Sequence, residues 1–126
     1  MEENVITGEI IGAAIEVHKV LGGPGLLEQV YEEALCHELK LKGLNLQRQV
    51  QVPVIYKGVE IKKALFLDIM VDERIIVEVK ATEKHNLIFE AQLLTYLRLT
   101  DLRLGLVINF GARKITDGIN RVVNKL

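Results

Sequence analysis

Residues 64–71 read ALFLDIMV, with Asp68 their only charge, and residues 75–80 read IIVEVK, with Glu78 and Lys80 two apart in a run of Ile and Val. Strand geometry puts Ile76, Glu78 and Lys80 on one face of the second stretch and Phe66, Asp68 and Met70 on one face of the first. If Val71 pairs with Ile75 across a loop of Asp72, Glu73 and Arg74, the same register brings Asp68 directly opposite Glu78. A two-residue loop would put them on opposite faces. Opposed side chains have Cβ atoms about 5 Å apart, and two like charges at that spacing repel by roughly 3 kcal/mol at an effective dielectric of about 20. A divalent cation between them removes the cost, and two carboxylates with waters and carbonyls suit Mg²⁺ or Mn²⁺ better than zinc. Lys80, on the same face, can set its ammonium beside an attacking water or a phosphate oxygen. Alternatively, Glu78 and Lys80 simply line the wet face of a half-exposed strand.

Other polar groups carry weaker signals. Glu28 lies along the border of an apolar helical stripe, where an acid either faces inward or supports the helix N-terminus through its dipole. Gln92 and Tyr96 stand one turn apart on a helix, both ending in hydrogen-bonding groups, a spacing also common on ordinary amphipathic helices. His18, His37 and His85 show no ligand spacing, and no Ser or Cys nucleophile arrangement is visible. Cys36, the one cysteine, has no partner for a disulfide or a zinc site and is expected to pack inside a helix. Gly22-Gly23-Pro24-Gly25 matches no phosphate-loop pattern and is expected to form a sharp interhelical turn.

The elements that must position these groups follow from periodicity. Helices are predicted over residues 5–21 and 26–42, each closed by glycine. Alternation predicts a strand over 49–56, a turn at Lys57-Gly58, and further strands over 59–71 and 75–81. A third helix is predicted over 87–99 with Asn86 as its N-cap, then a buried strand over 104–110. Residues 115–123 read as a short helix or an extended arm. The order helix, helix, three strands, helix, strand implies an α/β fold: an antiparallel hairpin sheet joined by a helical crossover to one more strand.

The 126 residues are expected to form a single domain over 1–126. At 49% hydrophobic and only 5% aromatic, with no Trp, the core must be aliphatic. A formal net charge of -1 argues against gripping a polyanion by overall electrostatics but leaves room for a local basic patch. The acidic N-terminus lacks the layout of a secretory signal, and no apolar run nears the ~18 residues that suggest a membrane span. A cytoplasmic protein without a membrane partner is therefore expected.

Taken together, the chain resembles the GxxExxY proteins through Gly25, Glu28 and Tyr31, a branch of the PD-(D/E)XK nuclease superfamily, whose spaced acid and acid-x-lysine match Asp68 and Glu78-Val79-Lys80. Gln92 and Tyr96 are similar to the QxxxY motif of RecB-like nucleases. The resemblance covers about residues 5–111 and implies a restriction-endonuclease-like core, α-β-β-β-α-β, with an additional N-terminal helix. It further implies Mg²⁺ (or Mn²⁺) on Asp68, Glu78 and the Val79 carbonyl, with Lys80 acting on the water and Glu28 assisting the metal. Gln92 and Tyr96 would contact substrate or brace the site. Leu67 stands where the superfamily name expects proline, and Phe66 where relatives often carry Arg, which removes a phosphate contact. The implied activity is metal-dependent phosphodiester hydrolysis, most simply of DNA, structure-directed or weakly specific, with a homodimer allowed. The alternative is a non-catalytic nucleic-acid or protein-binding module that retains the nuclease fold.

Overall fold

A computed structural model describes residues 2–125. Helix α1 spans Glu3–Val20 and α2 spans Glu28–Leu41. Each buries a stripe at threes and fours: Ile6, Ile10, Ala13, Ala14 and Val17 on α1, and Tyr31, Leu35, Cys36 and Leu39 on α2. The helices are joined through Gly22 and Gly23, both at positive φ, whose N–H groups satisfy the carbonyls of Lys19 and His18 at the end of α1.

Tyr31 fixes this junction. Its ring stacks on Phe110 with centroids 4.8 Å apart, while its hydroxyl donates to the Gly23 carbonyl at 2.7 Å and accepts the Leu26 N–H at 3.1 Å. Tyr31→Phe keeps the stack and loses both bonds, so urea unfolding should show a loss of about 1–2 kcal/mol at unchanged m-value. An unaltered midpoint would show that the hydroxyl contributes nothing to the loop.

The strands are β1 (Leu46–Val52), β2 (Ile55–Tyr56), β3 (Val59–Glu60), β4 (Leu65–Val71), β5 (Ile75–Lys80), β6 (Leu104–Asn109) and β7 (Ile119–Val123), with α3 at Ile88–Thr100 between β5 and β6. The main sheet runs β1-β4-β5-β6-β7, with only the β5–β6 pair parallel, and β2 with β3 forms a separate two-stranded ribbon. Helices α1 and α2 cover one face, over Ile69, Val71, Ile75, Val77, Val79, Leu104, Leu106 and Ile108. Helix α3 covers the other, where Leu93 and Leu97 meet Ile76, Val107 and Val122. Gly105 permits that approach, since a Cβ there would come within 2.9 Å of Leu93 and 3.0 Å of the Ile76 carbonyl. This is the expected α-β-β-β-α-β core with one extra N-terminal helix, a restriction-endonuclease-like α/β fold.

Several boundaries differ from expectation. The strand predicted over 49–56 begins at Leu46 and stops at Val52, before Pro53. The strand predicted over 59–71 is interrupted, with residues 61–64 outside any strand. Helix α2 starts at Glu28, and the tail is both a 3₁₀ turn at Ile115–Gly118 and a strand completing the sheet. Asn86 does support α3, its Oδ1 accepting the Ile88 N–H at 3.0 Å.

The larger correction concerns faces. Leu46, Ile69 and Val71 pack under α1 and α2, yet Val50, Val52, Leu65 and Leu67 pack toward α3. Both strands therefore reverse their faces between one residue and the next but one, at the facing positions Gln49 and Asp68. Gln49 carries the positive φ of 50° that makes the reversal on β1. Phe66 and Met70 consequently do not share a face: Met70 lies against the α3 cluster, and Phe66, flanked by two residues that point that way, is exposed on the other side.

Candidate active site

Pairing between β4 and β5 is Val71↔Ile75, Met70↔Ile76 and Ile69↔Val77, so the three-residue loop sets the register that puts Asp68 across from Glu78. At that next position the regular ladder gives way to side chains. The Asp68 N–H donates to Glu78 Oε2 at 2.8 Å, and the Val79 N–H donates to Asp68 Oδ2 at 2.8 Å. Each carboxylate thus caps the backbone of the opposite strand. The second oxygen of each makes no hydrogen bond among the described residues and is not wholly enclosed.

Glu78 is only 3% exposed. Burial pushes its carboxyl up to about 8, with the Asp68 charge adding to the rise and the Asp68 amide and Lys80 opposing it. Asp68 is raised to about 6, first by burial, while the Val79 N–H works against the rise and the charges of Glu32 and Glu28 reinforce it. A pair so reluctant to ionise, with two free oxygens, fits a divalent cation with oxygen preference. Among the described residues no three His, Cys, Asp or Glu side chains converge on one point. At this point the oxygen groups brought together are the carboxylates of Asp68 and Glu78 with the backbone beside them.

Lys80 ends β5 on the same face as Glu78. Its Nζ lies 5.0 Å from the Phe89 ring centre and donates to Gln92 Oε1 at 3.4 Å, and Gln92 Nε2 in turn donates to the Tyr96 hydroxyl at 3.2 Å. The α3 residues singled out by spacing thus form a chain behind the lysine. Tyr96 closes the circuit, its phenol raised by burial and then by the Glu78 charge.

Glu28 is the first residue of α2 and makes no hydrogen bond to Asp68 or Glu78. Its carboxyl is raised by partial desolvation, held back by Lys80 and raised further by Glu32, and its charge in turn raises Asp68.

Sequence inspection passed over two buried polar side chains and a cleft. Glu32, one turn after Glu28 and 5% exposed, accepts from Arg48 Nη2 at 3.0 Å and from the Gln49 side-chain amide at 3.2 Å. Acids at i and i+4 next to the buried Tyr31, facing an Arg-Gln pair on the next element, were the available signal. Asn109, also buried, accepts the Thr82 and Gly111 N–H groups and donates to the Thr82 carbonyl, knitting the loops after β5 and β6 together. Beside them a cleft of about 670 Å³ opens between Gly25, Leu26, Thr82, Lys84 and Arg113. Gly111 is required there, because any Cβ would strike the Thr82 backbone.

The remaining sequence-level suspects are structural. His18 is buried with Nε2 2.9 Å from the Ala112 carbonyl. Cys36 is a buried free thiol, raised to about 11 mainly by burial and so poorly nucleophilic. Among the described residues no helix is long and apolar enough to cross a membrane.

A family model described as the PD-(D/E)XK nuclease superfamily matches residues 4–122. No curated protein and no solved structure matches the chain.

Proposed function

We propose that this chain, which belongs to the PD-(D/E)XK nuclease superfamily, is a metal-dependent nuclease of its GxxExxY branch that hydrolyses phosphodiester bonds in DNA. Membership supports a nuclease-like activity on nucleic acid. The observation that carries the finer reading is the reciprocal pair Asp68–Glu78, midway along β4 and near the end of β5, poised beside Lys80.

In this proposal Asp68, Glu78 and the Val79 carbonyl would hold Mg²⁺ or Mn²⁺. When bound, the ion stabilises charge on the phosphoryl oxygens and makes water a stronger acid. Lys80 orients the attacking water and balances charge as the phosphorus is approached. Gln92 and Tyr96 keep Lys80 aimed along the face it shares with Glu78 and meet the substrate backbone. Glu28 is the helical acid that assists the metal site. The cleft by Lys84 and Arg113 gives a strand room to pass. One domain of this size leaves little for a separate recognition module, so cleavage is structure-directed or weakly specific, with action in the cytoplasm and as a homodimer included in the proposal.

The test titrates Mg²⁺ or Mn²⁺ into wild type and Asp68→Ala, then assays duplex, single-stranded and branched DNA alongside RNA. Metal binding that survives Asp68→Ala sinks the site assignment. Nucleic-acid binding without cleavage of any form would identify a binding module instead. Within an active enzyme, Lys80→Met should lower kcat by about 10²-fold or more with little change in substrate affinity.

A further inference from the structure

Residues 55–64, IYKGVEIKKA, are all exposed. Ten consecutive exposed residues would be ordinary in a polar loop, but these include Ile55 at 62%, Tyr56 at 61% and Val59 at 63% exposure. They form the ribbon β2–β3, paired Ile55↔Glu60 and Tyr56↔Val59, with a further bond from the Ile61 N–H to the Val54 carbonyl. Its tip, Lys57-Gly58, has both φ values positive at 49° and 80°, the tight hairpin turn whose twist matches its strands.

Pairing sorts the side chains. Tyr56 and Val59 share one face, which alternation extends to Val54 and Ile61, while Ile55 and Glu60 share the other. An isolated ribbon of this length is marginal in water, and it leaves its apolar face without a partner. Lys57, Lys62 and Lys63 outnumber the one acid, Glu60, on a chain whose formal net charge is -1. The Lys57 ammonium lies 5.5 Å from the Tyr56 ring centre. Among the described residues none of these four charged side chains makes an ion pair.

Position decides the occupant. The ribbon leaves the main sheet at Val52 and returns at Leu65, the last β1–β4 pair. Leu65 is three residues, about 10 Å, along β4 from Asp68. On the neighbouring strand β5 ends at Lys80, two residues past Glu78. The finger thus rises from the end of the sheet that carries the carboxylates. Its tip stands up to about 17 Å beyond Val52 if extended, against a B-DNA major groove about 8.5 Å deep and about 12 Å wide, which admits a two-stranded ribbon.

We infer, resting on the nuclease reading above for the choice of ligand, that β2–β3 is a groove-entering finger that holds duplex DNA beside the site. Lys57, Lys62 and Lys63 meet phosphates, and Tyr56 and Val59 lie against base edges and thymine methyls. A-form RNA keeps its major groove deep and narrow, so the finger favours B-form DNA.

The test uses the full chain in Ca²⁺, with a short blunt DNA duplex, the duplex RNA of the same sequence, and bis(p-nitrophenyl) phosphate in Mn²⁺ as a small diester that needs no groove. Lys57→Glu combined with Lys62→Glu and Lys63→Glu should weaken DNA duplex binding at least tenfold and lower the slope of log K on log salt by about 3. Tyr56→Ser should weaken DNA binding while leaving duplex RNA binding unchanged. Hydrolysis of the small diester should be unaffected by either. Unchanged duplex binding overturns the finger, as does a variant that dissociates a dimer in sedimentation velocity while DNA binding persists. A wild type that binds duplex through the finger yet hydrolyses neither DNA nor the small diester defeats the catalytic reading alone.

Discussion

Stripped of divalent ions, the protein should lose stability as pH rises from about 4.5 to 8, opposite to the usual behaviour of carboxylates held in ion pairs. Glu78 has an ordinary value of 4.5 in the unfolded chain and about 8 in the folded one, chiefly through burial; Asp68 moves from 3.8 to about 6 for the same first cause. Below the unfolded values both groups are protonated in either state and no penalty exists. Between the unfolded and folded values the unfolded chain releases its protons while the fold keeps them, so each step upward favours unfolding. Above about 8 the loss is complete, on the order of a few kcal/mol for the coupled pair, since a tenfold difference in acidity between the folded and unfolded chain corresponds to about 1.4 kcal/mol. Subtracting the curve of Glu78→Gln removes the contributions of all other carboxylates. Adding Mg²⁺ or Mn²⁺ should raise the melting temperature strongly at pH 8 and barely at pH 5. A difference curve flat with pH, or a metal effect equal at both, would dismiss the buried pair as the seat of ion binding.

Second, Glu78→Gln and Asp68→Asn should each reduce cleavage by at least about 10³-fold, several kcal/mol of charge stabilisation, while leaving the fold intact. Each amide retains a carbonyl oxygen, so the Asp68 and Val79 N–H groups keep their acceptors. What disappears is the buried charge. In the metal-free protein at pH 8, Glu78→Gln should therefore be more stable than wild type, although removing one member of a buried polar network usually destabilises. An enzyme that resists heat better once inactivated shows that the site is held at the expense of the fold. Cleavage within tenfold of wild type would exclude either residue from the chemistry.

How far the sequence disclosed this depends on the residue. The pairing of Asp68 and Glu78 was legible because both lie in apolar runs and the loop of Asp72, Glu73 and Arg74 admits one register with facing acids. The chain Lys80–Gln92–Tyr96 was legible in part, since helical spacing aligns Gln92 with Tyr96 but says nothing of the strand beneath. Glu32 was not, because an acid on an amphipathic helix looks solvated until Arg48 and Gln49 arrive from β1. The finger announced its turn at Lys57-Gly58, while the break over 61–64 lay hidden in residues that would suit a strand. Nor could alternation reveal the reversal at Gln49 and Asp68. Positive φ in a strand is signalled by glycine, and Gln49 is not one.

That reversal separates two histories of substitution. Leu67 and Ile69 are neighbours but one on β4, yet they belong to different hydrophobic clusters, one under α3 and the other under α1 and α2. Either cluster can exchange its aliphatic side chains for others of similar total volume without consulting the other. The spacing of the carboxylates depends on neither, because it is held by two bonds from main-chain amides. A lineage could therefore rewrite most of the interior of this protein and still hand down the same pair of acids at the same separation.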